Sequence, residues 1–156
     1  MSENVFTPDP CRVGQRVILK ANGYCDEDLN RPLIGVVNTY NEAHPGHCGY
    51  KDIVEFIKRG IYRAGGVATE FETISICDGM GGSHIGENYI LPSREIIADS
   101  IETVCKAENL DGLVLMASCD KIVPGVLMAA ARLDIPCIVE CGGPMLNGAE
   151  FNGRKS

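Results

Sequence analysis

Several absences narrow the reading of this sequence. It contains no Cys-x-x-Cys pair, so a zinc ribbon or a thioredoxin-type redox motif is not expected. No apolar run approaches the length needed to cross a bilayer, and the amino terminus lacks a basic-then-apolar signal pattern. A cytoplasmic protein without a membrane partner is the expectation. Basic residues are outnumbered, 14 against 21 acidic ones, giving a net charge of −7. Nucleic acid would require a basic patch, so no nucleic-acid partner is expected. There is no Gly-x-Ser-x-Gly elbow for a hydrolase nucleophile and no Gly-x-Gly-x-x-Gly after the first apolar run for a dinucleotide. A phosphate-binding Gly-x-x-x-x-Gly-Lys-Ser/Thr pattern is missing as well.

What the chain does have is cysteine: eight in 156 residues, at positions 11, 25, 48, 77, 105, 119, 137 and 141. Several lie in apolar stretches, such as Leu115-Met116-Ala117-Ser118-Cys119 and Ile135-Pro136-Cys137-Ile138. Without a signal segment these read as reduced thiols, some buried and some available as metal ligands. Cysteines 11, 25, 105 and 137 read as small hydrophobes or incidental exposed thiols, and Cys141 stays ambiguous.

Short β-rich apolar runs occur at residues 33–38, 67–76, 112–117 and 137–139. Helical spacing occupies the intervals. Residues 52–64 carry Ile53, Phe56, Ile57, Gly60 and Ile61 on one stripe and end at Gly65-Gly66. Residues 93–107 place Ile96, Ile97, Ser100, Ile101 and Val104 together, with Ser93 as the expected N-cap. Residues 124–133 begin with proline, which suits a first helical turn. This alternation predicts an α/β fold: a mostly parallel sheet flanked by helices, an α/β/α sandwich. Ligand sites in such sheets lie beyond the carboxyl ends of the strands. Residues 1–30 read as a lead-in segment and 31–156 as the α/β domain, with no evident closing element after the last strand.

Three chemically loaded segments follow the expected strands. Cys119-Asp120-Lys121 brings a thiol, a carboxylate and an amine to the end of an apolar strand, which is costly without compensation. A metal centre is one compensation, since thiolate suits an iron-sulfur cluster and carboxylate suits magnesium. A plain strand-end loop with a surface Asp–Lys pair is the other. Cys77-Asp78-Gly79 precedes a loop running to Gly86. There Asp78 is placed like a hard-cation ligand and His84 can act as an acid, base or hydrogen-bond donor. Asp-Gly is equally a common turn. The third segment, residues 38–48, holds His44, His47 and Cys48. A fourth zinc ligand is not evident nearby, so substrate or cluster-edge contacts are the preferred reading.

Taken together, the segments resemble one family. Residues 31–42 (Arg-Pro-Leu-Ile-Gly-Val-Val-Asn-Thr-Tyr-Asn-Glu) with Pro45-Gly46-His47 resemble the opening of the dihydroxy-acid and sugar-acid dehydratases. So do Cys77-Asp78-Gly79, residues 91–100, residues 119–125 and Gly142-Gly143-Pro144-Met145. The similarity runs from about Cys25 to Asn147, and the chain resembles the amino-terminal part of a larger enzyme. It implies a hydro-lyase that removes water from a 2,3-dihydroxy acid to give a 2-oxo acid, using an iron-sulfur cluster ([2Fe-2S] or [4Fe-4S]) and Mg2+. The first substrate expectation is the branched-chain amino-acid dihydroxy acids. The alternatives are a sugar acid such as an aldonate or 6-phosphogluconate, or a fragment without activity of its own. By the same resemblance Cys119 is a cluster ligand, Asp78, Asp120 and Lys121 are magnesium ligands, the lysine as a carbamate, and the full-length form is a homodimer. Lys121 and His84 are the candidate catalytic residues.

Three departures stand out. Some members carry a cluster cysteine where this chain has Gly46, with Cys48 two residues on as the candidate replacement. The loop 80–86 differs from the family's usual Ile-Ala-Met-Gly-His-Glu-Gly. The family's later half, with another cysteine, a glutamate and a serine base, is not in this sequence.

Overall fold

The structure is a computed structural model that describes residues 13–143, 148 and 150–155. The expectations for residues 1–12, including Cys11, and for Pro144-Met145 lie outside these. Four parallel strands form one sheet in the order β2-β1-β3-β4: β1 Leu33–Asn38, β2 Val67–Glu72, β3 Gly112–Met116 and β4 Cys137–Glu140. The helices are α1 Val13–Ala21, α2 Tyr50–Arg63, α3 Asp78–Gly81, α4 Glu87–Ile90, α5 Ser93–Glu108 and α6 Ile122–Leu133. Among the described residues no helix is long and apolar enough to cross a membrane.

Because successive strand side chains point to opposite faces, the sheet feeds two apolar layers. On one face Leu33, Val37, Leu113 and Leu115 pack with Ile97, Ala98 and Ile101 of α5 and with Ile122, Val126 and Ala129 of α6. On the other face Val36, Ala68 and Met116 pack with Tyr50 and Val54 of α2. The α/β/α sandwich read from the sequence is the observed architecture. Two glycines set its tightness. A Cβ on Gly125 would stand 3.1 Å from the Ile97 side chain and 3.2 Å from Arg94 O, so its absence lets α6 lie close on α5. A Cβ on Gly35 would come within 2.7 Å of both Leu110 and Leu113. Over β3 and β4 the α2 face is open, and Ile138 is 63% exposed there.

Several boundaries differ from the sequence expectation. β2 ends at Glu72 rather than at 76, because its partner β1 ends at Asn38. One more bond, Thr73 N–H to Asn38 O, closes the ladder. Ser93 is the first residue of α5 rather than its N-cap. Pro92 holds that place, and the Ser93 hydroxyl donates backwards to Ile90 O at 2.6 Å. α6 begins two residues before Pro124, with Lys121 as its N-cap. Within the lead-in, α1 packs Leu19 against the core and Leu29, in a short 3-10 turn, is fully buried. Past β4, residues 150–151 and 154–155 pair antiparallel around Asn152-Gly153, both at positive φ, as a two-residue hairpin turn requires.

Candidate functional site

All three loaded segments emerge at the carboxyl edge of the sheet. The β3 end delivers Ser118 and Cys119, and the following turn delivers Asp120 and Lys121 to the start of α6. Cys119 adopts φ +72°, a left-handed conformation that costs a non-glycine residue about 1–2 kcal/mol. That turn reverses the chain within one residue, and it stands the thiol and the Asp120 carboxylate before the positive end of a twelve-residue helix. Asp78 arrives from the β2 side, as the first residue of α3.

The Lys121 ammonium joins these segments. Its Nζ donates to Asp78 Oδ2 at 2.7 Å and to Asp120 Oδ2 at 2.6 Å. The Asp120 and Asp78 carboxylates together raise the lysine well above its ordinary pKa. Asp120 is held below the usual carboxylate range, chiefly by the Lys121 bond and then by the Cys119 thiol, which reaches its Oδ1 at 3.4 Å. Burial pushes the Cys119 thiol up, and the nearby Asp120 and Asp78 charges add to that.

Each of Asp78, Cys119 and Asp120 offers a ligand atom, and these three atoms lie within 4.8 Å of one another. Asp78 also keeps its second oxygen, Oδ1, buried with no hydrogen-bond partner. A buried carboxylate oxygen without a donor from the chain calls for an outside partner, whether a cation, a ligand or water. The residues therefore fit a metal centre: two carboxylates for a hard cation, one thiol for a soft one.

Cys48 is not part of that group. It is exposed, and its thiol turns to Pro45 O at 3.5 Å. The backbone of Gly46 faces the site instead, since a Cβ there would meet Ser118 Cβ at 3.2 Å and the His44 ring at 3.5 Å. Two residues of separation are enough to turn the Cys48 thiol away. His84 holds its own loop together. Its Nδ1 accepts from Gly86 N–H at 3.0 Å and its Nε2 lies 2.9 Å from Met80 O, so both ring nitrogens are engaged within the loop.

Beneath the thiol loop lies a polar layer that the sequence did not reveal. His47 is fully buried, with Nδ1 at 2.7 Å from both Thr39 O and Thr39 Oγ1 and Nε2 at 3.2 Å from Ser118 N and 3.0 Å from Ser118 O. The Thr39 hydroxyl spends its proton on Met116 O, so Nδ1 of the ring must be the donor to Thr39. Gly142 N–H reaches Tyr50 Oη at 2.9 Å and Ser118 Oγ at 3.0 Å, tying the β4 loop to the same serine. Ser118 is thus fixed from two sides, and Cys119 follows it. The hints were Tyr50 at the start of a helix and Gly142 after a strand, neither of which signals a partner by itself.

Residues 31–155 match the family model described as the dihydroxy-acid/6-phosphogluconate dehydratase N-terminal domain. The chain is 55% identical over 144 residues to a protein of Methanococcus maripaludis named dihydroxy-acid dehydratase, covering 92% of this chain and 26% of that one. A protein of the same name from Pyrococcus abyssi is 56% identical over 143 residues, with the same shares. One from Methanothermobacter thermautotrophicus is 54% identical over 144 residues, 92% of this chain and 26% of that relative. The chain spans about a quarter of the length of the curated relatives it matches.

Proposed function

The chain belongs to the dihydroxy-acid/6-phosphogluconate dehydratase family, and we propose that the protein carrying it is a hydro-lyase converting a 2,3-dihydroxy acid to a 2-oxo acid. The convergence of Asp78, Cys119 and Asp120 around Lys121 at the strand ends carries this reading. The name dihydroxy-acid dehydratase carried by the relatives supports a dihydroxy acid as substrate, and in this proposal it is a branched-chain one rather than a sugar acid.

In this proposal Cys119 holds an iron-sulfur cluster and Asp78 and Asp120 hold Mg2+. When bound, these groups supply Lewis acidity toward the substrate's carboxylate, 2-hydroxyl and departing 3-hydroxyl. The chain's own work is placement. The Asp78 oxygen without a partner is ready to take a ligand, and the left-handed turn at Cys119 sets thiol and carboxylate side by side. As an ammonium ion Lys121 competes with a cation for both carboxylates. It serves the metal only once that charge is gone, which is what the family's carbamate accomplishes.

The test is an anaerobic assay of the full-length protein with 2,3-dihydroxyisovalerate and with aldonates. Turnover of the former is expected, and a clear aldonate preference would overturn the substrate reading. Cys119→Ser should abolish the visible iron-sulfur absorption; a spectrum like the wild type's removes Cys119 from the cluster.

A further inference from the structure

His44 has a conspicuous unfilled valence. Its side chain is only 3% exposed, yet Nε2 is buried without a hydrogen-bond partner. The other nitrogen is occupied: Nδ1 accepts from Gly46 N–H at 3.2 Å. A ring that accepts at Nδ1 carries its proton on Nε2, so the atom without a partner is a donor. Leaving such a group unmet in the interior is costly, so it calls for a partner from outside the chain.

The ring's surroundings show where that donor belongs. It packs against His47 with centroids 4.0 Å apart and the ring planes tilted by 53°, and His47 bonds Ser118, the residue before the thiol. The space a side chain at position 46 would fill lies between the His44 ring and Ser118 Cβ. Charge on Asp78 is felt at the ring, and Asp78 Oδ1 is itself buried and without a partner. The same part of the sheet edge therefore holds a buried donor without a partner, His44 Nε2–H, and a buried acceptor or cation ligand without one, Asp78 Oδ1. Lys121 gives two of its three N–H donors to Asp78 Oδ2 and Asp120 Oδ2, and none of its bonds reaches Asp78 Oδ1. His44 is also outside the group of mutually close ligand atoms formed by Asp78, Cys119 and Asp120. It borders the metal cluster of side chains without belonging to it.

We infer that His44 binds the substrate, donating its Nε2 proton to a carboxylate oxygen of the hydroxy acid held beside Asp78. This rests on the dehydratase reading above and adds a substrate contact to it. A neutral imidazole suits the task, since it orients an anionic oxygen without competing with a cation for the neighbouring carboxylates. Burial and the adjoining His47 both favour that neutral ring.

The experiment uses full-length holoprotein and 2-hydroxyisovalerate, which lacks the 3-hydroxyl and so cannot be dehydrated. Its Kd is read by calorimetry, beside the visible absorption and the melting temperature. His44→Phe fills the space without a donor and should weaken binding roughly 10- to 100-fold, the worth of one hydrogen bond to a charged acceptor. His44→Gln, which returns an N–H near the Nε2 position, should recover most of that loss. If His44→Phe does not fold, His44→Asn takes its place, keeping an acceptor for Gly46 N–H but nothing at the Nε2 position. Wild-type affinity in the Phe or Asn variant overturns the inference, and so does loss of the visible absorption, which would make the ring a cluster ligand. Wild-type protein that neither binds the analogue nor turns over 2,3-dihydroxyisovalerate overturns the dehydratase reading and the His44 contact with it. A wild-type protein that does both, beside an unaffected variant, removes the His44 contact alone.

Discussion

His47→Phe tests how the thiol loop is held. The imidazole is fully buried and spans two loops, meeting Thr39 through Nδ1 and Ser118 through Nε2. Phenylalanine is close to it in volume and keeps the edge contact to Tyr50, whose ring centroid lies 5.0 Å away. Little cavity cost is added, and the loss is in hydrogen bonds. At least two buried groups, one on Thr39 and one on Ser118, are left without partners at roughly 1–3 kcal/mol each. The sum is about 2–6 kcal/mol, a large part of the roughly 5–15 kcal/mol that holds a typical domain. With about 2–4 °C lost per kcal/mol at this chain length, the melting temperature should fall by roughly 4–24 °C. Thermal and urea unfolding followed by circular dichroism measure it. His44→Phe is the built-in control: it removes a single long bond from Gly46 N–H and should cost about 1 kcal/mol or less. A His47→Phe melt within about 1 °C of wild type, or equal losses for the two variants, would refute the assignment of His47 as the tie between the loops.

Two further outcomes follow from the buried ionisable groups. Burial raises the Glu140 carboxyl above its ordinary pKa, and its Oε2 has no partner. The folded chain then holds the proton more tightly than the unfolded one, so stability contributed here is full below the ordinary glutamate pKa of about 4.3 and is lost as pH rises through the raised value. Glu140→Gln should therefore melt higher than wild type at pH 8 and alike at pH 4; a lower melt at pH 8 would show that the carboxylate has a stabilising partner. Among the thiols, Cys105 is buried and pushed up to about 11, whereas Cys48 and Cys141 are exposed. Iodoacetamide at pH 8 with peptide mass mapping should modify the exposed thiols, Cys25 and Cys137 included, before Cys105, which stays unmodified until the protein unfolds. Early labelling of Cys105 would contradict its burial.

The strands were legible because a parallel sheet covered by helices is written as short continuous apolar runs. β1 was read to the residue, and β3 and β4 to within one. β2 was read too long because residues 73–76 are as β-prone as those before them. What ended the strand was the finish of its neighbour at Asn38, a tertiary fact. The turns α3 and α4 were invisible because glycines at 79, 81, 82 and 86 suppress helical propensity. At the site, Asp78, Cys119, Asp120 and Lys121 could be proposed from residue type and their places after strands, and they do converge. Cys48 could not be judged, since its direction depends on the turn through Pro45-Gly46-His47. The Thr39–His47–Ser118 bonds join residues up to 71 apart in sequence, and no local pattern encodes such a link.

The charge arrangement explains why both carboxylates can sit so near a half-buried thiol. With the ammonium of Lys121 between them, Asp78 and Asp120 leave one net negative charge at the sheet edge, and the α6 amino terminus offsets part of it. The same geometry opposes a divalent cation while that ammonium stays, because Lys121 already uses Asp78 Oδ2 and Asp120 Oδ2. A cation that binds both residues must displace the lysine or meet it with its charge removed. Asp78 Oδ1 and Asp120 Oδ1 are the oxygens left for the approach, one with no partner and the other holding only the weak thiol donor of Cys119. If the proposed hard cation and soft centre both bind here, Asp120 would couple their loading, since its Oδ1 already meets the Cys119 thiol. In the proposed centre, loss of the thiol proton would free Asp120 Oδ1, and a cation taking that oxygen would offset a carboxylate charge that otherwise disfavours the thiolate.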